Sequence, residues 1–306
     1  MTRLIVLGDL NLDVRASLPE GLPFGGEVRT PIQAVPGGSA ANVARAARGE
    51  GAEVLFVGCT GKDLIGDLLV LSLAAAGIET RVRRVDAPSG TVLALWKSTE
   101  RTMFCSRGAN DALDAAWVEE ADFCGADHLH VSGYALLAPS QRAAADRAVE
   151  LARQNGLTVS LNLPPANLLA DYGLDAFRAQ LAAIDWVFLN LEEGTALTEE
   201  RDPKRMVDAL ADRFEAGALT LGKKGALAWR GTERAWAGAR PIEIADSTGA
   251  GDAFAGGFLV TFLNTKDLER AVHRGVEVAR QVLAGVRPAS PSGSAPTQDP
   301  EPRPES

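Results

Sequence analysis

The chain has 306 residues, enough for one large α/β domain or two modest ones. Its 46% hydrophobic and 23% charged residues are ordinary for a folded globular protein. A formal net charge of −9 argues against a nucleic-acid partner, because phosphate backbones require clustered Lys and Arg. Three widely spaced cysteines match neither a disulfide framework nor a zinc site, and no apolar run reaches the ~18 residues of a membrane span. These features predict a cytoplasmic protein without a membrane partner.

Short apolar runs alternate along the chain with longer segments rich in Ala and Leu. The short runs predict buried strands, at residues 4–7, 54–57, 128–131, 158–161, 186–189 and 218–221. The longer segments predict helices, at residues 40–49, 66–76, 140–154, 174–183 and 204–213. This alternation is typical of βαβ units, so we expect a mostly parallel sheet with helices on both faces.

Three segments depart from the alternating pattern. Residues 12–35 and 79–106 lack a helical period and contain strand-like pieces joined by turn residues, which predicts a small β-sheet lid inserted in the main domain. Such a lid would exclude water from a site beneath it, although a decorative β extension is the alternative. Residues 288–306 are dense in Pro and Ser, which predicts a disordered tail after a folded domain spanning 1–287.

The strongest motif reads Asp-Ser-Thr-Gly-Ala-Gly-Asp at residues 246–252 and opens an apolar segment rich in small residues. A Gly-rich turn at a helix start directs several backbone N–H groups toward one point, and the helix dipole makes that point attractive to an anion. An Asp in a first helical turn is by itself an ordinary helix-start residue. Beside an anion hole, however, the carboxylate of Asp252 is in position to take the proton of an attacking hydroxyl. The motif therefore indicates phosphoryl transfer.

This motif resembles the C-terminal signature of the ribokinase-like (PfkB-type) kinase family, Asp-Thr-x-Gly-Ala-Gly-Asp, with Ser247 in place of the usual Thr. The resemblance extends over nearly all of residues 3–285. It implies a Rossmann-like three-layer sandwich with a β-sheet lid, ATP as phosphate donor, Mg²⁺ as cofactor, and pairing of two copies through the lid. It also implies that Asp252 is the catalytic base.

The resemblance assigns further roles within the motif. The N–H groups of Gly249, Ala250, Gly251 and Asp252 would stabilise charge on the transferring phosphate. Many members of the family place a monovalent cation, K⁺, near groups equivalent to Asp246 and Thr248. We therefore expect an anion hole and a cation site side by side.

Two segments after predicted strands match the nucleotide elements of the family. Asn-Leu-Glu-Glu at 190–193 resembles the family's Asn-x-x-Glu, in which Asn190 would bind the nucleotide and Glu193 would hold Mg²⁺ through water. Taken alone, the same segment is an ordinary helix start. Thr-Leu-Gly-Lys-Lys-Gly at 220–225 resembles the family's Thr-x-Gly-x-x-Gly, with Thr220, Gly222 and Gly225 beside the nucleotide.

Polar residues near the N-terminus predict an acceptor site. Asp9, Asn11 and Asp13 alternate after the first strand, so an extended chain would present them on one face, where carboxylates and amides suit a polyhydroxyl ligand. Turn or helix-capping residues are the plainer interpretation. The segment Pro-Gly-Gly-Ser-Ala-Ala-Asn at 36–42 adds a Gly pair and an amide. By resemblance to the family, the residues in contact with the acceptor are Asn11, Asp13, Gly37, Gly38 and Asn42.

The sequence also departs from ribokinase proper at two places. Ribokinase has Gly-Gly-Lys-Gly-Ala-Asn where this chain has Gly-Gly-Ser-Ala-Ala-Asn. It also has a Glu where this chain continues with Ser-Gly-Tyr after residue 131. Ribose is therefore not implied as the acceptor. We expect phosphorylation of a hydroxymethyl group on a sugar or sugar acid. The alternatives are a nucleoside kinase and a non-catalytic ligand-binding protein. His128 and His130 lack a third metal ligand at suitable spacing, so we interpret them as structural.

Overall fold

A computed structural model describes most of the chain, namely residues 1–19, 25–97, 100–242 and 248–285, with the backbone alone for Glu100. The predicted tail at 288–306 lies outside the described residues. Across the described segments, no helix combines the length and apolarity needed to cross a membrane.

Thirteen strands and nine α-helices make up the described part of the chain. The strands are β1 (Arg3–Leu7), β2 (Asn11–Ser17), β3 (Ile32–Gly37), β4 (Glu53–Gly61), β5 (Glu79–Val85), β6 (Gly90–Lys97), β7 (Glu100–Ser106), β8 (His128–Ser132), β9 (Thr158–Asn162), β10 (Trp186–Asn190), β11 (Ala216–Thr220), β12 (Ala226–Arg230) and β13 (Glu233–Ala237). The helices are α1 (Ser39–Gly49), α2 (Leu64–Ala75), α3 (Pro139–Gln154), α4 (Ala166–Tyr172), α5 (Leu174–Gln180), α6 (Leu191–Thr198), α7 (Pro203–Ala211), α8 (Ala250–Thr265) and α9 (Leu268–Leu283).

The larger of two sheets has nine strands in the order β13-β12-β11-β10-β9-β8-β1-β4-β5. From β11 to β5 all neighbours are parallel, whereas β12 and β13 extend the sheet as an antiparallel hairpin. All six strands predicted from the sequence lie in this sheet, which confirms the mostly parallel α/β architecture. The parallel strands end at one edge in polar residues, among them Ser132, Asn162, Asn190 and Thr220.

The predicted lid boundary at residue 79 is wrong. β5 pairs in parallel with β4 and forms an edge of the large sheet, so it belongs to the main body. The sequence of β5 mixes Arg with Val, a composition that also suits a solvated lid strand. The large sheet accommodates these side chains because a strand at a sheet edge is covered less than a central strand. The second lid segment therefore begins only with β6, at Gly90.

The central strands of the large sheet bury both of their faces, as a three-layer sandwich requires. In β1, for example, Ile5 and Leu7 pack into one apolar core with α3–α7, while Leu4 and Val6 pack into a second core with α1, α2, α8 and α9. Side chains alternate between the faces of a strand, so fully apolar strands are expected between two helical layers. The three-layer expectation is confirmed.

The lid is a separate four-stranded sheet in the order β3-β2-β6-β7, with β2 and β6 parallel and the outer pairs antiparallel. Pairing places Arg15 opposite Ala94 and Trp96 opposite Arg101. Because side chains alternate along a strand, these residues lie on the same face as Asp13, which we call the inner lid face. The opposite, outer lid face carries Leu93 and other apolar side chains.

His128 and His130 are fully buried between β8 and β9. His128 bonds to Thr158 and Ser160 through its two ring nitrogens at 2.7 Å each, and His130 Nδ1 bonds to Ser160 Oγ at 2.8 Å. Burial lowers the pKa of His130 to about 3 and holds the pKa of His128 well below its usual value. Both rings are therefore neutral at pH 7 and serve the core, in agreement with the structural interpretation.

The N-terminus of α8 is positioned by close packing against α1 and α9. A Cβ on Gly256 would lie 2.6 Å from Ala46 Cβ, and one on Gly257 would lie 2.8 Å from Val278 Cγ2. Both distances are shorter than van der Waals contact, so only glycine lets the three helices approach this closely. This packing places the start of α8 beside the start of α1.

Candidate active site

Asp252, the predicted base, lies in the first turn of α8 and accepts three side-chain hydrogen bonds. Ser39 Oγ donates to Asp252 Oδ1 at 2.8 Å, and Asn42 Nδ2 donates to Oδ2 at 3.1 Å. From the opposite side, Asn162 Nδ2 at the end of β9 donates to Oδ1 at 3.0 Å. The carboxylate is thus held in one orientation by α1 and by the carboxyl edge of the large sheet.

Two opposing influences set the proton affinity of Asp252. Burial is the largest, and it raises the pKa of the carboxyl group to about 6. The bonds from Asn42, Ser39 and Asn162 favour the charged form and limit this rise, while the charge of Asp9 adds to it. The group is mostly ionised at pH 7 yet is more basic than an exposed Asp, which suits a general base.

Asn162 was not among the residues predicted from the sequence, although it ends a strand at the polar edge where ligands bind in parallel sheets. Its side chain is 8% exposed, and its Oδ1 atom is buried without a hydrogen-bond partner among the described residues. A buried acceptor without a partner costs free energy, so a ligand that donates to this oxygen would be stabilised.

We expect Asn162→Leu to shift the acid limb of the pH–kcat/KM profile upward from its wild-type position near 6. Loss of a donor to a carboxylate removes roughly 1.5–3 kcal/mol from the charged form, a pKa rise of about 1 unit or more for Asp252. Activity that needs the charged base is lost as pH falls through its pKa, so the loss begins at higher pH in the variant. Asn155→Leu at the end of α3, outside the site, is the matched control. An unmoved acid limb in Asn162→Leu would contradict this role.

Residues 249–251 are the residues of the predicted anion hole. Gly249 precedes α8 with φ at 78°, a left-handed conformation that glycine adopts without strain. The amide groups that follow belong to the first turn of a 16-residue helix, where N–H groups have no intrahelical acceptor. A Cβ on Gly251 would meet no atom within 4 Å among the described residues beyond its own helix backbone. The turn therefore faces open space next to Asp252.

The predicted monovalent-cation site is only partly described. Asp246 and Ser247 lie outside the described residues. Thr248 is described, and its Oγ1 accepts a hydrogen bond from Nη1 of Arg101 on the lid strand β7. The lid therefore contacts the main body next to the turn of residues 249–251.

The predicted acceptor residues come together around the junction of lid and body. Asn11 and Asp13 lie on β2, and a Cβ on Gly37 would lie 2.3 Å from the Asp13 carboxylate. Gly38 has φ at 100°, and a Cβ there would lie 2.4 Å from the backbone oxygen of Asp9. These two close approaches explain the Gly pair.

Asn190 and Glu193 form a capping box at the start of α6. Asn190 Oδ1 accepts from the Glu193 backbone N–H at 3.0 Å, while the Glu193 carboxylate accepts from the Asn190 backbone N–H and from its side-chain amide, both at 2.8 Å. Burial raises the pKa of Glu193 to about 8, and the charges of Asp252 and Glu192 contribute to the rise. A positive charge beside these carboxylates would therefore be stabilised.

These donors fit Mg²⁺, which is usually held by one or two carboxylates, water and substrate phosphates. Among the described residues there is no cluster of three or more His, Cys, Asp or Glu side chains that would form a closed metal cage. The site thus suits a metal ion that arrives with a nucleotide.

Thr220 lies beside Asn190 in register, at the end of β11. Gly222 and Gly225 follow in left-handed conformations, with φ at 57° and 102°. A Cβ on Gly225 would lie 1.9 Å from the Ala237 backbone oxygen, whereas one on Gly222 would meet no atom within 4 Å in the part of the chain that the structure describes. Gly225 is therefore required by the fold, and Gly222 borders open space.

Comparison with known proteins identifies the family of this chain. A family model described as pfkB family carbohydrate kinase matches residues 1–292. The chain belongs to the pfkB carbohydrate kinase family. It is 31% identical to ribokinase from Haemophilus influenzae over 289 residues, 90% of each chain. It is 32% identical to the ATP-dependent ribose-1-phosphate kinase of Halopiger xanaduensis, over 98% of this chain and 96% of that protein.

The three-dimensional structure is likewise similar to that of adenosine kinase from Sinorhizobium meliloti. The TM-score is 0.84 at 25% sequence identity, and the match covers 92% of this chain and 94% of that chain. The ribokinase-like fold predicted from the sequence is confirmed.

In this kinase the chain passes from the lid back to the main body through a segment that contains Arg107 and Asn110. These two side chains hold residues 9–11 in place. Asn110 Oδ1 accepts from the Leu10 backbone N–H at 2.9 Å, and Asn110 Nδ2 donates to Asn11 Oδ1 at 2.7 Å. Arg107 donates to buried Asp9 at 3.3 Å and to Gln141 at 2.5 Å. The contacts to Leu10 and Asp9 join residues about 100 positions apart in the chain, so no local sequence pattern indicates them.

Proposed function

We propose that this kinase transfers the γ-phosphate of ATP to a hydroxymethyl oxygen of a sugar or sugar acid. The observation that carries the proposal is the position of Asp252, which is fixed by three donors and lies next to the open amide turn of residues 249–251. A base beside an anion site is the arrangement that phosphoryl transfer to an alcohol requires. A protein that only binds its ligand needs no such base.

In this mechanism Asp252 accepts the hydroxyl proton as the acceptor oxygen forms its bond to the γ-phosphorus. The bond from that phosphorus to the β,γ-bridging oxygen breaks, and ADP leaves with the electron pair. The amides of Gly249, Ala250 and Gly251 stabilise charge on the transferring group. Asn190 and Glu193 would hold Mg²⁺ through water, and the ion would neutralise charge on the phosphates. Thr220 and Gly222 border the nucleotide.

The acceptor would lie between the lid and the edge of the large sheet, in contact with Asn11, Asp13, Gly37, Gly38 and Asn42. Relatives of the chain are named ribokinase, ribose-1-phosphate kinase and fructokinase, which supports a sugar-like acceptor. A nucleoside acceptor is the second candidate, because other relatives are named cytidine kinase and adenosine kinase. A K⁺ site at Asp246 and Thr248 completes the proposal.

A panel of sugars, sugar acids, sugar phosphates and nucleosides, scored by ATP consumption, tests the proposal. We expect turnover with at least one sugar-like compound and dependence on Mg²⁺. Turnover confined to nucleosides would establish the second candidate instead. No ATP consumption across the whole panel would favour a non-catalytic binding protein.

We also propose that two copies pair through the outer lid face. Leu93 and Phe104 are paired across β6 and β7 and are 37% and 58% exposed, and Ile32 on β3 is 66% exposed. Contiguous exposed apolar side chains are typical of an interaction surface. Sedimentation measurements on Phe104→Glu test the pairing. Leu71→Glu, which changes an exposed leucine on α2, is the control. A dimer disrupted only by Leu71→Glu, or no dimer in the wild type, would contradict it.

A further inference from the structure

A short connector, residues 86–89, leads from β5 at the edge of the large sheet to β6 of the lid. Its last residue, Ser89, is 3% exposed. The Ser89 hydroxyl donates to Asp63 Oδ1 at 2.6 Å, and the Ser89 backbone N–H donates to Asp63 Oδ2 at 2.9 Å. One carboxylate of the main body therefore binds both the side chain and the backbone of the connector.

The Ser89 hydroxyl uses its full hydrogen-bonding capacity at this point. Its one proton is donated to Asp63, so its oxygen is the acceptor for Thr60 Oγ1 at 2.8 Å and for the Gly61 backbone N–H at 3.1 Å. A hydroxyl offers one donor and two lone pairs, and all three are occupied. Thr60 and Gly61 end β4, so the connector is fixed to the large sheet as well as to Asp63.

Asp63 is also the N-cap of α2, where it accepts from the Gly66 backbone N–H at 2.7 Å. Helix capping explains that bond but does not explain the two bonds to Ser89, which lies 26 residues further along the chain. The bond from the Ser89 hydroxyl holds the pKa of Asp63 below its usual value, so the carboxylate is charged at pH 7. Hydrogen bonds to a charged acceptor are roughly twice as strong as neutral ones, so this contact fastens the connector firmly.

The next residue, Gly90, begins β6 and lies against two amide side chains. It pairs with Asn11 in the lid sheet. A Cβ on Gly90 would lie 2.2 Å from Asn11 Oδ1 and 2.2 Å from Asn110 Nδ2, the two atoms that bond to each other at 2.7 Å. A methyl group there would displace that bond. The backbone at Gly90 is therefore the wall against which the Asn11 amide is held.

The orientation of the Asn11 amide follows from the bonds of its partner. Asn110 donates to the Arg107 backbone oxygen at 2.9 Å and accepts from the Leu10 backbone N–H at 2.9 Å, which identifies its nitrogen and its oxygen. Asn11 must therefore present its own oxygen to Asn110 Nδ2. Within the described part of the chain Asn11 Nδ2 has no hydrogen-bond partner, so two donors remain for a hydroxyl oxygen of the acceptor.

We propose that Ser89 and Asp63 are positioning residues for the acceptor, because they fix the connector that holds Gly90 against the Asn11 amide. This inference rests on the proposed kinase function and adds two residues that act through Asn11. On that proposal Asn11 binds the acceptor both before and during the reaction, so a misplaced amide weakens binding in both states. Such a change raises KM for the acceptor and leaves kcat nearly unchanged.

Two variants separate this role from helix capping. Ser89→Ala removes the hydroxyl and leaves Asp63 as the cap of α2, whereas Asp63→Ser keeps a capping side chain that is too short to bind Ser89 in the same way. Ribose, fructose, gluconate and adenosine are tested as acceptors, and the one with the highest kcat/KM in the wild type is used. In both variants we expect the acceptor KM to rise by about 10-fold, with kcat and the KM for ATP within about 2-fold of wild type.

Thr2→Ala is the matched control. It removes another buried hydroxyl, which bonds to Asn264 Oδ1 at 2.7 Å before the start of β1, at the opposite edge of the sheet from the site. The acceptor KM of this variant should equal that of the wild type, even where its unfolding temperature is lower.

Amide hydrogen exchange tests the same contact without turnover. The connector attaches β6 to the main body, so the amides of β6 should exchange about 10-fold faster in Ser89→Ala and in Asp63→Ser. In Thr2→Ala they should exchange as in the wild type.

An acceptor KM within about 2-fold of wild type in both variants would overturn the inference, because a contact needed only for folding lowers the unfolding temperature and leaves KM alone. Unchanged exchange in β6 would overturn it as well. If none of the four acceptors is phosphorylated, the failure lies with the proposed function, and the exchange rates alone then decide whether Ser89 and Asp63 hold β6 in place.

Discussion

Asp252→Asn is expected to lower kcat by roughly 10²–10⁴-fold, the range typical of removing a general base. The side chain keeps its size but cannot take the hydroxyl proton. ATP affinity should change little, because in the proposed mechanism the nucleotide phosphates are bound by the amides of residues 249–251, which the substitution leaves in place. Steady-state kinetics and calorimetric titration of ATP measure the two effects separately.

Stability must be measured beside activity, because three donors surround the Asp252 carboxylate and an amide offers them only one oxygen. Thermal unfolding of the variant separates a catalytic loss from a folding defect. Asp146→Asn, the same change on an exposed turn of α3, is the control and should retain wild-type kcat. Near-normal turnover in a folded Asp252→Asn variant would rule out Asp252 as the base.

Gly251→Ala is expected to change stability and activity in opposite directions. The position is helical, its φ is ordinary, and the added methyl group would meet no atom of another described residue within 4 Å, apart from its own helix backbone and chain neighbours. Replacing Gly by Ala in a helix stabilises it by roughly 0.5–1 kcal/mol. The same methyl group would occupy the open space in front of the turn, so turnover should fall by about 10²-fold or more, comparable with losing an oxyanion-hole donor.

Thermal unfolding and kcat measured on the same Gly251→Ala preparation check both expected changes, the rise in stability and the fall in turnover. A variant with raised unfolding temperature and impaired turnover places the phosphate against this turn. A stabilised variant with full turnover would show that the phosphate binds elsewhere. A glycine that is required only for folding would not give a raised unfolding temperature together with impaired turnover. At such a position an added methyl group clashes with the protein.

The sequence predicted those parts of the fold that depend on local pattern. Central strands such as β1 and β10 are apolar on both faces and are recognisable as buried strands. β5 was misplaced because an edge strand with alternating Arg and Val has the same pattern as a strand of a small exposed sheet. The hairpin of β12 and β13 was missed because its pairing follows from tertiary contacts.

The same distinction applies to the site. Asp252 and the turn before it are adjacent in the sequence and form a recognisable motif, whereas Asn162 acts on Asp252 from 90 residues away. Asn190 and Glu193 form the capping box of an ordinary helix start, so their roles in nucleotide binding stay a prediction. Long-range partners such as Arg107 and Asp9 need the folded chain to bring them together.

The three bonds to Asp252 also bear on how the enzyme is made. Its partners Ser39, Asn42 and Asn162 precede it by 213, 210 and 90 residues, and α8 is the penultimate helix of the described chain. During synthesis, N-terminal segments emerge and fold first. A ribosome-bound chain therefore carries the proposed acceptor-binding residues long before it carries the proposed base. On the proposed mechanism, phosphoryl transfer becomes possible only after α8 has been synthesised.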